Sequence, residues 1–177
     1  MFTGHGHYSR TEQDRILELS PGQSMLSKVL LQGVAKRTVI LDCCLQCHEG
    51  LLLERPEVSK YAKAAQRRVP DSAKCRSAFD RGITLSASKI VITTSCSIGE
   101  ISYDNDATGG VYNSNLINTA LDWANSEADS YSIGASSLSI VNAHETAAAR
   151  TRKSRTDQNP TIEKAKTTPY FPFAVFA

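Results

Sequence analysis

Thr38-Val39-Ile40-Leu41-Asp42-Cys43-Cys44 is the stretch on which the fold turns. Thr38 to Leu41 are β-branched or apolar and follow the basic pair Lys36-Arg37, which predicts a short strand buried on both faces. Such a strand belongs inside a parallel sheet, and parallel sheets place their chemistry just beyond the carboxyl ends of their strands. At that end stand one acid and two thiols. Upstream, Met1-Phe2-Thr3-Gly4-His5-Gly6 is a second short apolar run, ending in a glycine-flanked histidine. A strand-end His and a strand-end Cys, 39 positions apart (44 − 5), are a candidate base and nucleophile for the fold to bring together.

The 177 residues suffice for one domain with a proper core. Hydrophobic content of 41% and charged content of 21% are ordinary for a globular protein. A net charge of +2 gives no ground for nucleic-acid or membrane binding. No 18-residue apolar run predicts a membrane span. No charged n-region followed by an apolar h-region opens the chain, so no signal peptide is expected. Five cysteines, three of them within positions 43 to 47, then favour reduced thiols and a cytoplasmic location over a disulfide framework.

Outward from the first strand, Gly6 to Ser20 is a polar loop running into a short amphipathic piece, Ile16-Leu17-Glu18-Leu19. Ser20-Pro21-Gly22-Gln23 is read as a helix start, with a serine cap and proline at the first helical position. Leu26, Val29, Leu30, Gly33 and Val34 would be its apolar face, and the helix a crossover to the strand at Thr38. Glu49 to Gly82 is charged and aperiodic apart from an expected helix around Glu57 to Arg68. Lys89 to Ser95 reads as a second buried strand, Gly99 to Gly110 as a loop, and Val111 to Asn125 as a helix. Ser126 to Ser137 is serine-rich and loop-like, Leu138 to about Arg152 helical, Thr156 to Pro169 a polar connection, and Phe171 to Phe176 a last strand. Alternating strands and helices argue for a layered α/β fold.

Phe2-Thr3-Gly4-His5-Gly6 resembles the histidine motif of caspase-like cysteine peptidases, the metacaspases and their bacterial relatives, and Ile40-Leu41-Asp42-Cys43-Cys44 resembles their nucleophile strand. Ile90 to Cys96 through Ser102-Tyr103-Asp104, then Gly109-Gly110-Val111-Tyr112, is similar to the opening of their small-subunit region. Gln158-Asn159-Pro160 and Phe171-Pro172-Phe173-Ala174-Val175 are similar to their last loop and strand. The parts come in the right order over nearly the whole chain. The resemblance implies a three-layer α/β/α sandwich around a mainly parallel sheet: residues 1–50 with the His and Cys strands, 51–87 as an intersubunit-like linker, and 88–177 as the small-subunit-like region. In the family, two strands and two helices precede the histidine strand, which here starts at Met1. The expectation is that the N-terminal strands are missing or that another chain supplies them and completes that edge of the sheet.

The resemblance also implies roles. His5 is the base, with small neighbours that let a peptide pass. Cys44, two positions after Asp42, is the nucleophile, and the N–H groups of Gly6 and Cys44 form the oxyanion hole. Cys43, on the opposite side of the strand, is read as core. A rival alignment makes Cys47, in Cys47-His48-Glu49-Gly50, the nucleophile. Asp42 would line a pocket for Arg or Lys before the cleaved bond. No cofactor is read from the residues. Calcium dependence belongs to the resembled family, whose acidic positions after the small-subunit cysteine are matched by Ser97-Ile98-Gly99-Glu100, of which only the last is an acid. His7 is read as structural or solvent-exposed. The activity implied is a cysteine endopeptidase acting on a peptide or protein substrate. Two alternatives stand beside it: a catalytically silent caspase-like interaction module, and a structural zinc site from Cys44-x-x-Cys47 with His48 and His5 or His7.

Overall fold

In the computed structural model, which describes residues 1–33, 35–45, 68–87, 89–105, 109–130 and 134–177, the stretch around Ile40 is the middle of a sheet. In chain order the elements are β1 (Phe2–Thr3), β2 (Gly6–Ser9), β3 (Asp14–Ser20), β4 (Gln23–Leu26), a 3-10 helix (Ser27–Leu31), β5 (Arg37–Asp42) and α1 (Ser72–Leu85). There follow β6 (Ile90–Thr94), β7 (Asp104–Asn105), β8 (Gly109–Gly110), α2 (Val111–Asp129), β9 (Ser136–Ser139), α3 (Ile140–Ser154), β10 (Thr161–Glu163) and β11 (Pro172–Phe176). The central sheet runs β1-β5-β6-β10. β1, β5 and β6 are parallel, with Thr3 opposite Asp42 and Leu41 opposite Thr94, and β10 is antiparallel to β6.

Alternation along β5 divides the core. Ile40 faces one side, where Val91, Tyr112, Leu116, Ile140 and Phe171 pack, so α2 and α3 cover that face. Val39 and Leu41 face the other, where Leu17, Cys43, Leu45, Ile92 and Cys96 gather. Tyr8, Met25, Leu30 and Leu31 close this second face from β2, β4 and the 3-10 helix. The result is a layered α/β fold around a mainly parallel sheet, the architecture that the resemblance implies.

The connection from β1 to β5 differs from the expected helix. Ser20 pairs with Gln23 across a two-residue Pro21-Gly22 turn, so the segment is the hairpin joining β3 to β4. Proline at the second turn position and glycine at φ +76° at the third are the type II pattern, which a helix cannot accommodate. Only Ser27–Leu31 is helical, as 3-10, and Val34 lies outside the described residues. The expected helix over 57–68 also lies outside them, save its last residue. A helix does form next to it in the stretch read as aperiodic: α1, capped by Asp71, whose carboxylate accepts from the N–H groups of Ala73 and Lys74. Cys75, Ala78, Phe79 and Gly82 make its half-buried face, and a Cβ on Gly82 would stand 3.0 Å from Pro172 Cγ.

The strand at Lys89–Ser95 and the helices after Gly110 and Leu138 form close to where they are expected. The serine-rich loop is shorter, since α2 continues to Asp129 and β9 starts at Ser136. The last strand, β11, pairs with β9 in a separate two-stranded ribbon. Among the described residues no helix is long and apolar enough to cross a membrane.

Candidate active site

The parallel ladder between β1 and β5 runs one residue past β1, because the Gly4 N–H donates to the Asp42 carbonyl at 3.1 Å. His5 comes next on one chain, and Cys44 two residues after Asp42 on the other. Both thus leave the carboxyl ends of neighbouring parallel strands, where this topology collects chemistry. From the far side the Glu18 N–H donates to the His5 carbonyl at 3.0 Å, so the His5 backbone is held between β5 and β3. The His5 side chain is exposed and lines a cleft of about 630 Å³ with His7, Glu18, Leu19, Pro21 and Gln23. His7 lies 3.6 Å from the Glu18 carboxylate.

Gly6 sits where no larger residue fits. A Cβ there would lie 2.8 Å from the Ile16 carbonyl oxygen and 3.1 Å from Cys43 Sγ. The Glu18–His5 bond also sets the phase of the β2–β3 ladder: His5 and His7 occupy hydrogen-bonding positions, and Gly6, opposite Leu17, a non-hydrogen-bonding one. The Gly6 N–H therefore points away from β3.

The three thiols at the end of β5 and β6 differ in environment. Cys43 and Cys96 are buried in the second core, and burial pushes both thiols up to about 12. Cys44 is half-buried, and its Sγ donates to the Ser102 carbonyl at 3.4 Å. Burial raises its pKa as well, and the carboxylates of Asp104 and Asp42 add to the rise. Of these three thiols only Cys44 is partly exposed, and a sulfur sealed in a core stays protonated and inert. Cys47, the rival nucleophile, lies outside the described residues, as do His48, Glu49 and Gly50; the zinc reading depends on the same residues.

Asp42 is 2% exposed. Its Oδ1 accepts from Ser102 Oγ at 2.7 Å and its Oδ2 from the Asn113 N–H, in the first turn of α2, at 2.9 Å. Burial raises its pKa, against the pull of those two bonds. Ser102 in turn receives Gln158 Nε2 on its hydroxyl at 3.3 Å, and Gln158, fully buried, also donates to the Ser95 carbonyl at 2.9 Å. Beneath them, Ser95 Oγ accepts from the Cys43 N–H, while the Leu45 N–H donates to the Glu100 carbonyl. The residues on both sides of Cys44 are thereby tied to the loop after β6. In the sequence, Ser102 and Gln158 stand only as members of stretches similar to the family's, with no local mark of this role. Nothing in a polar connection marks one glutamine as the buried hub.

The loop after β6 offers little to calcium. Glu100, its one acid between Ser97 and Glu100, accepts from the N–H groups of Ser97 and Asn159 and from Asn159 Nδ2. Among the described residues no group of three or more His, Cys, Asp or Glu side chains is disposed to hold a metal ion. The described residues do not fit the group.

A glycine-flanked histidine and a cysteine at adjacent parallel strand ends, on a layered α/β fold, are of the cysteine-peptidase kind. The family model for the caspase domain matches residues 1–172, and the chain belongs to that family. No curated protein matches it.

Proposed function

We propose that the chain is a cysteine endopeptidase with His5 as general base and Cys44 as nucleophile. The observation that carries this reading is the register of β1 on β5, with Thr3 opposite Asp42 and Gly4 bonded to its carbonyl, which delivers both residues to one end of the sheet. His5 takes the thiol proton, and the thiolate adds to the substrate carbonyl. The N–H groups of Gly6, turned away from β3, and of Cys44 receive the oxyanion. The amine leaves with the proton from the imidazolium, and water then releases the acyl group from sulfur.

Cleavage after Arg or Lys, in the manner of metacaspases, is the finer half of the reading. It rests on family likeness, since both oxygens of Asp42 are engaged within the protein. A fluorogenic peptide amide with Arg before the scissile bond tests both halves. Hydrolysis is expected from the wild type and from Cys47→Ala, with rates falling by about three orders of magnitude or more in Cys44→Ala and His5→Ala. Loss in Cys47→Ala with retention in Cys44→Ala moves the nucleophile to Cys47. A folded chain without turnover supports the second reading, a silent interaction module. What favours that reading is the Cys44 thiol itself, parked on the Ser102 carbonyl with burial raising its pKa.

A further inference from the structure

The resemblance makes Asp42 a reader of basic side chains, yet its surroundings describe another task. A carboxylate that reads arginine must offer both oxygens to the guanidinium fork. Here one is held by the half-buried Ser102 hydroxyl and the other by an N–H of α2 that has no partner within the helix. The residue just before α2, Gly110, has no side chain with which to cap it, and Asp42 reaches across from β5 to supply the bond. The approach is so close that a Cβ on Gly110 would lie 2.0 Å from Asp42 Oδ2. Turning the carboxylate outward would take from the Asn113 N–H and the Ser102 hydroxyl the acceptor each now uses.

Ser102 makes the connection to the sulfur. Its hydroxyl donates to Asp42, and its carbonyl accepts the thiol of Cys44. Gln158 braces the same hydroxyl from the last loop. The chain Asn113–Asp42–Ser102–Cys44 therefore runs from the start of α2 to the reacting atom through three consecutive hydrogen bonds. We infer that Asp42 is a positioning residue: acting through Ser102 it fixes where the Cys44 sulfur sits, and it does not itself meet the substrate. The chemistry it serves is the peptidase reading above, but its first test needs no turnover.

That test is the pH profile of alkylation of Cys44 by iodoacetamide, followed in the full chain by peptide mass spectrometry. Among the described residues, the charged and titratable groups that bear on this thiol are Asp42, Asp104, Tyr103, Cys43 and Cys96, with His5 at the end of the neighbouring strand. Asp42→Asn keeps the shape and removes one negative charge, so the midpoint should move to lower pH, by about half a unit or more. Ser102→Ala keeps the charge and the backbone carbonyl that receives the thiol, but removes the hydroxyl that ties residue 102 to Asp42; it should speed alkylation severalfold as the untethered carbonyl shifts off the sulfur. Unchanged profiles in both variants overturn the proposal, whether or not the chain hydrolyses peptides. Should Asp42→Asn fail to fold, as judged by circular dichroism, the Ser102→Ala profile decides alone. With turnover, both variants should lower kcat about tenfold while the ratio of kcat/KM for Arg over Leu before the scissile bond stays fixed. A collapse of that ratio in Asp42→Asn, with an unaltered alkylation profile, makes Asp42 a substrate contact instead.

Discussion

Gly110 and Gly22 are both glycines at junctions between elements, yet opposite physics holds them. Gly22 has open space around a would-be Cβ but needs φ +76°, whereas Gly110 is pressed against the carboxylate of Asp42. Gly110→Ala forces the Asp42 side chain off its bonds to Ser102 and Asn113, and overpacking of this kind costs about 1–3 kcal/mol. The expected result is a lower urea midpoint together with altered alkylation of Cys44. A stability matching the wild type would mean that Asp42 is not wedged against α2. At this scale the sequence was partly legible. Alternation along a strand placed Cys43 in the core and left Cys44 to the chemistry, and Cys43 is buried while Cys44 is half-exposed. The reason for Gly110 lay 68 positions away (110 − 42), at Asp42, and no local pattern could carry it.

Elements were legible wherever burial writes a period into the chain. β5 and β6 are short unbroken apolar runs because both their faces are covered, and α2 and α3 carry helical stripes because one face meets the sheet. β9 and β10 carry no such mark. Ser136–Ser139 and Thr161–Glu163 become strands by pairing with β11 and β6, a choice made by tertiary partners rather than by propensity. The segment from Ser20 is the instructive error. Leu26, Val29 and Leu30 do follow helical spacing, but Pro21-Gly22 closes a two-residue turn before that spacing can act. One substitution separates the two readings by sign. Inside a helix Gly22→Ala would stabilise by up to about 1 kcal/mol. In a turn that holds φ at +76° it should destabilise by about 1–2 kcal/mol, because an L side chain there meets its own carbonyl. Equilibrium urea denaturation of the two proteins reads that sign directly, and a stabilised variant would restore the helix.

At the scale of the whole molecule, Asp14, Asp42 and His144 are buried groups that join layers and titrate on the acid side, and their shifts set how the fold responds to acid. Asp14 ties β3 to the 3-10 helix by accepting from Ser27 Oγ at 2.6 Å and the Lys28 N–H at 2.9 Å; burial alone would raise its pKa, but these bonds and the Arg15 N–H bring it below the usual value. Its contribution is present above the ordinary aspartate range and is lost as pH falls through the lowered value. Asp42 has the opposite sign. Burial raises it, so the folded chain takes up this proton before the unfolded one does, and stability gains as pH falls through the raised value. His144 governs the milder range. It is 4% exposed between α2 and α3, its Nδ1 shares a hydrogen bond with Tyr112 Oη at 2.8 Å, and burial, with Arg152 and Lys164 adding, lowers its pKa to about 4. From about pH 6.5 downward the unfolded chain binds a proton there that the folded chain refuses, so stability falls steadily until pH reaches about 4, by about 3 kcal/mol in all. The urea midpoint should thus drop between pH 7 and pH 4.5. His144→Gln, which can still accept from Tyr112, should lower the midpoint at pH 7 yet flatten its slope over that interval. Asp42→Asn removes the opposing gain, so its midpoint should fall more steeply than the wild type's. A wild-type midpoint that holds level from pH 7 to pH 5 would mean that His144 already carries its proton inside the core, and the junction between α2 and α3 would then need a counter-charge.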